Sequence, residues 1–344
     1  MSEQDAEQRD QEELYEHYRF EVDPGQNFLR IDKFLFHKLQ HTSRNRIQSA
    51  ARAGSIIVNQ KQVKPSYKVK PGDVISIVLS HPPRELDIIA EDIPLDIVYE
   101  DEDIVIVNKK PGMVVHPGYG NYSGTLINAL AYHFNPDSLG QKIESDNLRP
   151  GLVHRIDKNT SGLLLIAKNE DAMTFLAKQF FERTIDRTYE ALVWGDLDDK
   201  GRIEGHIGRN LKDRKVMDVF PEGDHGKAAA TNYEVLERFT YINHIRCKLE
   251  TGRTHQIRVH LKYLGHPLFN DETYGGDRVL KGTAFSKYKQ FVTNCFSILP
   301  RHALHAKSLG FVHPRTKKRM EFDSELPDDI QQVIEKWRKY VAAN

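Results

Sequence analysis

Residues 151–169, GLVHRIDKNTSGLLLIAKN, place a cluster of polar side chains between two apolar runs. The apolar runs have the composition of buried strands, and the Asp-Lys-Asn-Thr-Ser-Gly stretch between them is typical of a turn. A turn held between buried strands presents its side chains at a rigid edge, which suits a catalytic carboxylate. Asp157 is therefore the first candidate for chemistry, although most aspartates in such turns have no catalytic role.

Two later positions could assist a carboxylate. Tyr189 lies in RTYEALV, which alternates in the manner of a strand, and Arg258 lies in THQIRVHLKYL, which has helical spacing. Taken alone, Tyr189 is more often a core residue whose hydroxyl reaches solvent, and Arg258 is more often one polar position of an amphipathic helix. Both residues therefore need support from the rest of the chain.

The histidines and cysteines do not predict a metal centre. His255 and His260 are five residues apart, not the four that align zinc ligands on a helix, and no Glu lies between them. Cys247 and Cys295 are too few for a thiolate zinc site or a disulfide framework, which favours a reducing cytosol. The glycine-rich HPGYGNYSGT stretch lacks the P-loop pattern. We therefore expect neither a metal nor a nucleotide cofactor.

The elements that must position these side chains indicate an α+β fold with a mixed, mostly antiparallel sheet. Strand-like runs follow one another without regular helical crossovers, which disfavours a doubly wound parallel sheet. Strands are predicted near residues 163–167, 187–194, 228–236, 241–250, 304–311 and 319–322, and helices near 125–134, 172–182, 254–264 and 327–341.

The size and apolar content of the chain limit its class. Its 344 residues exceed one typical core and favour two domains. No stretch approaches the roughly 20 apolar residues that a membrane span needs, and the amino terminus has no signal-peptide apolar region. We expect a soluble, cytoplasmic protein that acts as a monomer without membrane association.

The net charge of zero conceals a segregation of charge. Residues 1–25 carry nine acids and two bases, whereas residues 26–80 carry ten Lys and Arg and two Asp. Residues 1–25 lack apolar periodicity and are predicted to be a disordered acidic tail. Because clustered cations attract phosphates, the basic segment indicates a polyanion partner, although both segments could also be solvated faces.

Residues 26–80 have the pattern of a small α/β module. Ser43 is a favourable N-cap for a second helix, Gly54 is a favourable stop, and short strands follow. The stretches RIDKFL, SR and GSIIVN resemble an S4-type RNA-binding domain. This resemblance implies that RNA phosphates are contacted by four cations of the module, Lys33, Arg44, Arg46 and Arg52. Consecutive prolines in residues 81–86 predict a linker, which leaves residues 87–344 as a second, larger domain.

The second domain resembles the RluA-type family of RNA pseudouridine synthases, in the branch that modifies large-subunit ribosomal RNA and carries an S4 domain in front. The matching stretches are KPGMVVHPGYGNYSGTLINAL, HRID, RTIDRTYEALVWGDL, GKAAATNYEVLERF, LETGRTHQIRVHLKYLGHPLFNDETYG and RHALHAKSLGFVHP. One departure is Ile156, where the family more often has Leu, and this swap conserves volume. The resemblance implies a pseudouridine synthase catalytic domain over residues 87–344, acting on structured RNA, with 23S ribosomal RNA as the expected substrate.

The resemblance also implies a role for each candidate side chain. Asp157 would act on a flipped-out uridine, and Arg258 would keep that carboxylate ionised, with Arg253 as the second choice. Tyr189 would stack on the uracil and could help to remove the proton from C5. RNA contacts are implied for three residues, the first of which would stack where the uracil had been: Arg155, Arg253 and His255.

Two other functions stay open at this point. An RNA-binding or assembly factor could have lost catalysis, but the presence of Asp157, Tyr189 and Arg258 together argues against it. A hydrolytic glycosidase would need a second acidic residue to activate water, and the motifs contain one obvious carboxylate. The sequence does not distinguish attack at C1′ from attack on the ring or elimination.

Overall fold

The computed structural model describes residues 15–39, 42–79, 88–117, 121–139, 142–143, 151–211, 213 and 216–343. The chain divides into two compact units, Met1–Glu85 and Leu86–Asn344, and each unit has its own hydrophobic core. The predicted linker, residues 81–86, lies outside the described residues.

The described part of the first unit is a small α/β module. Ser43 caps the second helix by accepting the Arg46 N–H, and Gly54 ends it with a φ of 78°, so the predicted helix is confirmed. Its strands form a sheet in the order β1-β6-β3-β4 and a separate pair, β2-β5. In chain order the elements are β1 (Tyr15–Glu21), β2 (Leu29–Arg30), α1 (Ile31–Lys38), α2 (Arg44–Arg52), β3 (Ile56–Val58), β4 (Lys61–Gln62), β5 (Lys68–Val69) and β6 (Val74–Leu79).

The prediction of a disordered tail over residues 1–25 is wrong for Tyr15–Glu21. This segment forms β1, which pairs antiparallel with β6, and Val22 is buried in the core of the module. The acidity of the segment concealed a strand, because the edge of β6 supplies backbone hydrogen-bond partners that a charge count does not reveal. Residues 1–14 lie outside the described residues.

The described part of the second unit contains most of the strands. Its elements are β7 (Ile88–Ile89), β8 (Ile97–Glu100), β9 (Ile104–Lys109), α3 (Leu126–Phe134), β10 (Lys142–Ile143), β11 (Gly151–Leu152), β12 (Ser161–Ala167), α4 (Glu170–Glu182), β13 (Asp186–Trp194), β14 (Lys200–Arg209), β15 (Met217–Phe220), β16 (Lys227–Arg238), β17 (Ile242–Leu249), α5 (Gln256–Tyr263), α6 (Ser286–Ile298), β18 (Leu304–Val312), β19 (Arg319–Asp323) and α7 (Asp328–Ala342).

An 11-stranded sheet runs through this unit in the order β15-β14-β16-β17-β13-β18-β12-β9-β8, with β11 beside β12 and β19 beside β18. Its described strand pairs are antiparallel except for β12 and β18, which are parallel. The predicted α+β class with a mixed, mostly antiparallel sheet is therefore confirmed. Strands β14 and β15 and helix α6 were not predicted, because glycines and charges interrupt their apolar patterns.

The parallel contact between β12 and β18 depends on Gly162. This residue has a φ of +113°, and a Cβ there would lie 2.3 Å from the carbonyl oxygen of Ala306. Since β12 begins directly after the polar turn of residues 157–160, this close approach fixes where the turn meets the sheet.

Helix α7 closes an aromatic core on the second unit. Its apolar positions at helical spacing are buried, and the fully buried Trp337 contacts the rings of Phe269, Tyr288, Phe291 and Tyr340. Within the described residues, no helix combines the length and apolar character that crossing a bilayer requires.

Replacing Trp337 should test how much this aromatic core contributes to the stability of the second unit. We expect Trp337→Ala to lower the free energy of unfolding of the second unit by about 3–5 kcal/mol, because it empties a closely packed site. Trp337→Phe should cost less, since it keeps a ring and removes a buried indole N–H that has no hydrogen-bond partner among the described residues. Urea unfolding followed by far-ultraviolet circular dichroism measures both, and an unchanged midpoint for Trp337→Ala would contradict the assignment.

Candidate active site

The turn that carries Asp157 lies between β11 and β12. The N–H of Thr160 donates to the Asp157 carbonyl at 3.1 Å, which closes the turn, and the Thr160 hydroxyl lies 2.9 Å from His302 Nε2. Thr160 is buried, whereas the side chain of Asp157 is 20% exposed. The turn is thus anchored at one end and presents its carboxylate at the other.

Two buried cations hold the backbone of this turn. Lys109 Nζ donates to the carbonyls of Lys110, Met113 and Lys158 at 2.8–3.0 Å, and Arg301 Nη1 donates to the Asn159 carbonyl at 3.0 Å. Burial lowers the pKa of Lys109 to about 7, with a further lowering from Arg301 that the Asp157 carboxylate opposes. The position of the turn is therefore set by hydrogen bonds to its carbonyls, of which the one from Arg301 is charge-assisted.

Arg258, on α5, joins the Asp157 carboxylate to a second one. Its Nη1 donates to Asp157 Oδ2 at 3.0 Å, while Nε and Nη2 donate to the two oxygens of Asp271 at 2.7 and 2.8 Å. The Asp271 carboxylate also accepts the N–H groups of Thr273 and Tyr274. Asp271 is fully buried and fixes the orientation of the guanidinium. The remaining guanidinium nitrogen, Nη1, donates to Asp157.

These contacts keep the guanidinium charged. Burial lowers the pKa of Arg258, but the paired carboxylates of Asp271 and Asp157 outweigh that effect and raise its pKa above the ordinary arginine value. The guanidinium carbon also lies 5.0 Å from the centre of the Tyr274 ring. A permanent positive charge therefore faces one oxygen of Asp157.

His255 stands next to the other oxygen. Its Nε2 lies 3.8 Å from Asp157 Oδ1, and its Nδ1 lies 2.9 Å from the Tyr274 hydroxyl, which accepts the Met217 N–H. The tyrosine can donate its own proton to Nδ1, which leaves the neutral ring with its proton on Nε2. Burial lowers the pKa of His255 despite the nearby Asp157, so the ring is neutral at neutral pH. His255 has a φ of 55°, a left-handed conformation that is uncommon for a non-glycine residue.

Tyr189, on β13, faces the same cavity as the carboxylate. The cavity has a volume of about 360 Å³ and is lined by Asp157, Tyr189 and Arg258. Tyr189 is buried, and burial raises the pKa of its phenol. The charge of Arg187 lowers that pKa, and the charge of Asp157 raises it. The volume lies in the range of small-molecule pockets, so the cavity can hold one pyrimidine nucleoside.

The other predicted RNA contacts of this unit lie around that cavity. Arg155, Arg253 and His255 line it, Arg155 is exposed, and Arg253 Nε donates to the Ala228 carbonyl at 3.1 Å. The structure thus brings together all six predicted side chains of the second unit. Arg258, and not Arg253, makes the ion pair with Asp157.

Asp157 and Arg258 also line a second cavity, of about 650 Å³. Its other lining residues include Lys158, Thr293 and Arg301. The carboxylate therefore borders both cavities, whose linings share Asp157, His255 and Arg258.

The four cations predicted in the first unit have different surroundings. Arg44 pairs with Asp32 at 2.9 Å, and Asp32 is fully buried and also accepts from Arg30 and Gln48. Burial raises the pKa of Asp32, but those donors outweigh it and hold the pKa well below the ordinary value. The remaining three, Lys33, Arg46 and Arg52, are exposed, and Arg52 lines a shallow cavity together with Lys64.

Sequence reasoning missed Asp271, Tyr274 and Lys109. Asp271 begins the stretch DETYG and caps a single 3-10 turn, Glu272–Tyr274, which is a recognisable capping pattern. Lys109 ends the apolar strand IVIVNK, and a lysine in a buried strand is itself a signal of internal hydrogen bonds. The partners of these residues depend on the tertiary fold.

Comparisons with known proteins show which family the chain resembles. Residues 103–263 match the family described as RNA pseudouridylate synthase, and residues 29–75 match the S4 domain. An uncharacterized RNA pseudouridine synthase of Chlorobaculum parvum is 43% identical over 326 residues, which cover 94% of this chain and 98% of the relative. A protein of Vibrio parahaemolyticus named ribosomal large subunit pseudouridine synthase D is 41% identical over 312 residues, which cover 90% and 91%.

A solved structure shares the fold. Human RNA pseudouridylate synthase domain containing 4 aligns with a TM-score of 0.51 and 21% identity, over 70% of this chain and 92% of the human chain. At that identity the likeness concerns the fold alone. The sequence matches extend over nearly the whole chain and confirm the resemblance drawn from its motifs. The chain belongs to the RluA-type family of RNA pseudouridine synthases and carries an S4 domain in front of its catalytic unit.

Proposed function

We propose that this enzyme converts uridine to pseudouridine in large-subunit ribosomal RNA, with Asp157 as the catalytic carboxylate. The observation that carries the proposal is the 3.0 Å contact between Asp157 and Arg258 at the edge of a cavity that Tyr189 also lines. The substrate follows from relatives named ribosomal large subunit pseudouridine synthase D. We further propose that the enzyme works in the cytoplasm as a monomer.

The reaction needs few groups from the protein. The bond from C1′ to N1 breaks, a bond from C1′ to C5 forms, and the C5 proton is lost while N1 gains one. There is no net redox change and no second substrate. A carboxylate that attacks C1′ or the ring, or that assists departure of the base, therefore needs only positioning and a fixed charge state.

We assign the reactive role to Oδ1 of Asp157. Oδ2 accepts the hydrogen bond from Arg258. The ion-pair partner of Oδ1 among the described residues is His255, whose Nε2 lies 3.8 Å away. An oxygen without a short hydrogen bond keeps its lone pairs available for a substrate. Arg258 stays fixed during this step because its other two nitrogens, Nε and Nη2, donate to Asp271.

Tyr189 would contribute its ring more than its hydroxyl. Burial raises the pKa of the phenol, so it stays protonated at neutral pH and is a weak base for the C5 proton. A ring that lines the cavity can stack on a uracil that has left the RNA helix, and stacking on aromatic side chains is the usual way to hold such a base. Arg155, exposed at the same cavity, would occupy the vacated space.

The geometry favours isomerisation over hydrolysis. A glycosidase needs a second carboxylate that can activate water. The second carboxylate here is Asp271, which is fully buried and has both oxygens engaged by Arg258 and by the N–H groups of Thr273 and Tyr274. That carboxylate is committed to positioning Arg258.

A single assay distinguishes the candidate functions. Large-subunit ribosomal RNA made with uridine tritiated at C5 would release label to water with an isomerase, free uracil with a glycosidase, and neither with an RNA-binding factor. We expect label in water and pseudouridine in the RNA at a defined position.

Asp157→Asn should abolish turnover while the protein stays folded. We expect a loss of at least about 10³-fold, the scale for removing an essential acid, base or nucleophile. Asp224→Asn is the matched control, because Asp224 is an exposed aspartate in a turn outside the cavity. Tritium release measures both, and a fully active Asp157→Asn protein would contradict the assignment.

Asp271→Asn should lower kcat by about 10- to 100-fold with little change in RNA affinity, because Arg258 would lose its fixed orientation. The control is Asp103→Asn, which neutralises another buried aspartate paired with an arginine, Arg315, at a distance from the cavity. Both variants should lose thermal stability, and only Asp271→Asn should lose kcat. Equal kcat values for the two variants would show that Asp271 has a structural role alone.

In the first unit, Arg46→Glu with Arg52→Glu should weaken RNA binding and flatten its dependence on salt, because fewer counterions are released. Arg44→Glu should instead unfold the module, since it places a second acid against the buried Asp32. Filter binding at several salt concentrations and thermal melting measure the two effects. Salt dependence equal to that of the wild type would exclude Arg46 and Arg52 as phosphate contacts.

A further inference from the structure

We infer that the rim of the catalytic cavity holds a second nucleotide, the immediate neighbour of the target uridine, with its phosphate on Arg187 and its base on Phe181. Both residues line the cavity that contains Asp157 and Tyr189. The inference rests on the proposed function, because it concerns the same RNA substrate.

Among the described residues, Arg187 is a cation without a carboxylate partner. It lies on β13, two residues before Tyr189, so the two side chains leave the same face of the strand. Within the described residues it has no carboxylate partner, and its Nε is buried without a hydrogen-bond acceptor. The buried Nε is out of reach of a ligand, but within the described residues the outer nitrogens of the guanidinium have no acceptor either, and Arg187 lines the cavity. A guanidinium in that position can bind an anion through those outer nitrogens. In RNA, the strongest such acceptor is a phosphate.

A column of rings holds Arg187 in place. Its guanidinium carbon lies 5.2 Å from the centre of the Phe180 ring, and Phe180 stacks on His154 at 4.8 Å. His154 Nε2 accepts the Leu165 N–H at 3.0 Å, which ties the column to β12. Burial, together with Arg187, lowers the pKa of His154 to about 3, so this histidine is neutral. The column therefore orients the cation in advance without neutralising it.

Gly252 leaves space beside the guanidinium. A Cβ at this position would lie 3.0 Å from Arg187 Nη1, closer than nearly all Cβ contacts in proteins. Gly252 is exposed and lines the same cavity. The absence of a side chain there keeps one edge of the guanidinium open to a ligand.

Phe181 is the most exposed of the large apolar side chains in the described residues, at 87%. It follows Phe180 directly on α4 and lines the cavity at its rim. Four arginines line the cavity with it, the Arg258 that pairs with Asp157 and three others: Arg155, Arg187 and Arg253. An exposed aromatic ring among cations suits a base with its phosphate, because aromatic stacking and phosphate pairing together bind single-stranded RNA. An apolar protein segment carries no phosphate or carboxylate that could pair with these arginines.

The test combines protein variants with altered RNA. The substrate is a fragment of large-subunit ribosomal RNA that the wild-type enzyme modifies, made with an abasic residue on the 5′ or the 3′ side of the target uridine. On unaltered RNA, Phe181→Ala should raise KM by about 10-fold and change kcat by less than about twofold. One of the two abasic RNAs lacks the base that stacks on Phe181. On that RNA, Phe181→Ala should not raise KM further.

The phosphate is tested in the same way. Arg187→Gln should raise KM by about 10-fold and reduce the slope of log affinity against log salt by about 0.7–0.9, the value for one phosphate contact. A methylphosphonate replaces one charged phosphate beside the target uridine with a neutral group. At the position that Arg187 contacts, this replacement should remove the difference in KM between the wild type and Arg187→Gln. Arg187→Lys should recover part of the loss, because it restores the charge without the planar fork.

Two matched variants control for exposure and charge. Phe285→Ala removes a ring that is 75% exposed, and Arg278→Gln removes an exposed cation, and neither residue lines the cavity. Both should behave as the wild type. The inference is overturned if Phe181→Ala has the same effect on both abasic RNAs as on unaltered RNA, or if Arg187→Gln changes thermal stability but not KM. A wild-type enzyme that forms no pseudouridine would refute the proposed function instead.

Discussion

One guanidinium shared between two carboxylates is the interaction on which the site depends. Arg258 gives two of its donors to Asp271 and one to Asp157, so its orientation is fixed before any substrate arrives. The trio keeps one uncompensated negative charge, because His255 beside it is neutral. A neighbouring positive charge of this kind offsets the cost of removing a carboxylate from water.

The backbone of the same turn depends on a different set of charges. Lys109 and Arg301 bind its carbonyls, whereas Arg258 binds its side chain. The position of the turn therefore does not depend on the hydrogen bond that its carboxylate makes. The turn is thus positioned by groups that make no ion pair with the Asp157 carboxylate, and supporting contacts of this kind commonly hold functional loops rigid.

Much of the fold and the site could be predicted from the sequence. The turn at Asp157, the strand of Tyr189 and the helix of Arg258 follow from local periodicity, and the motif resemblance supplied their roles. Asp271 could not be predicted, because its importance lies in a contact with a residue on another element. Strand β1 was missed for a related reason: its stability comes from the edge of a neighbouring strand, and its composition suggested a solvated tail.

The two cavities that meet at Asp157 have a consequence for how the site exchanges with its surroundings. A base that fills the smaller cavity leaves the larger one, which Lys158 and Thr293 also line, unfilled. If the bound RNA leaves the larger cavity uncovered, water would reach the carboxylate through it, and protons would then equilibrate with the bulk solvent between the breaking of one bond and the making of the next. Release of the modified strand would then not be required for that exchange.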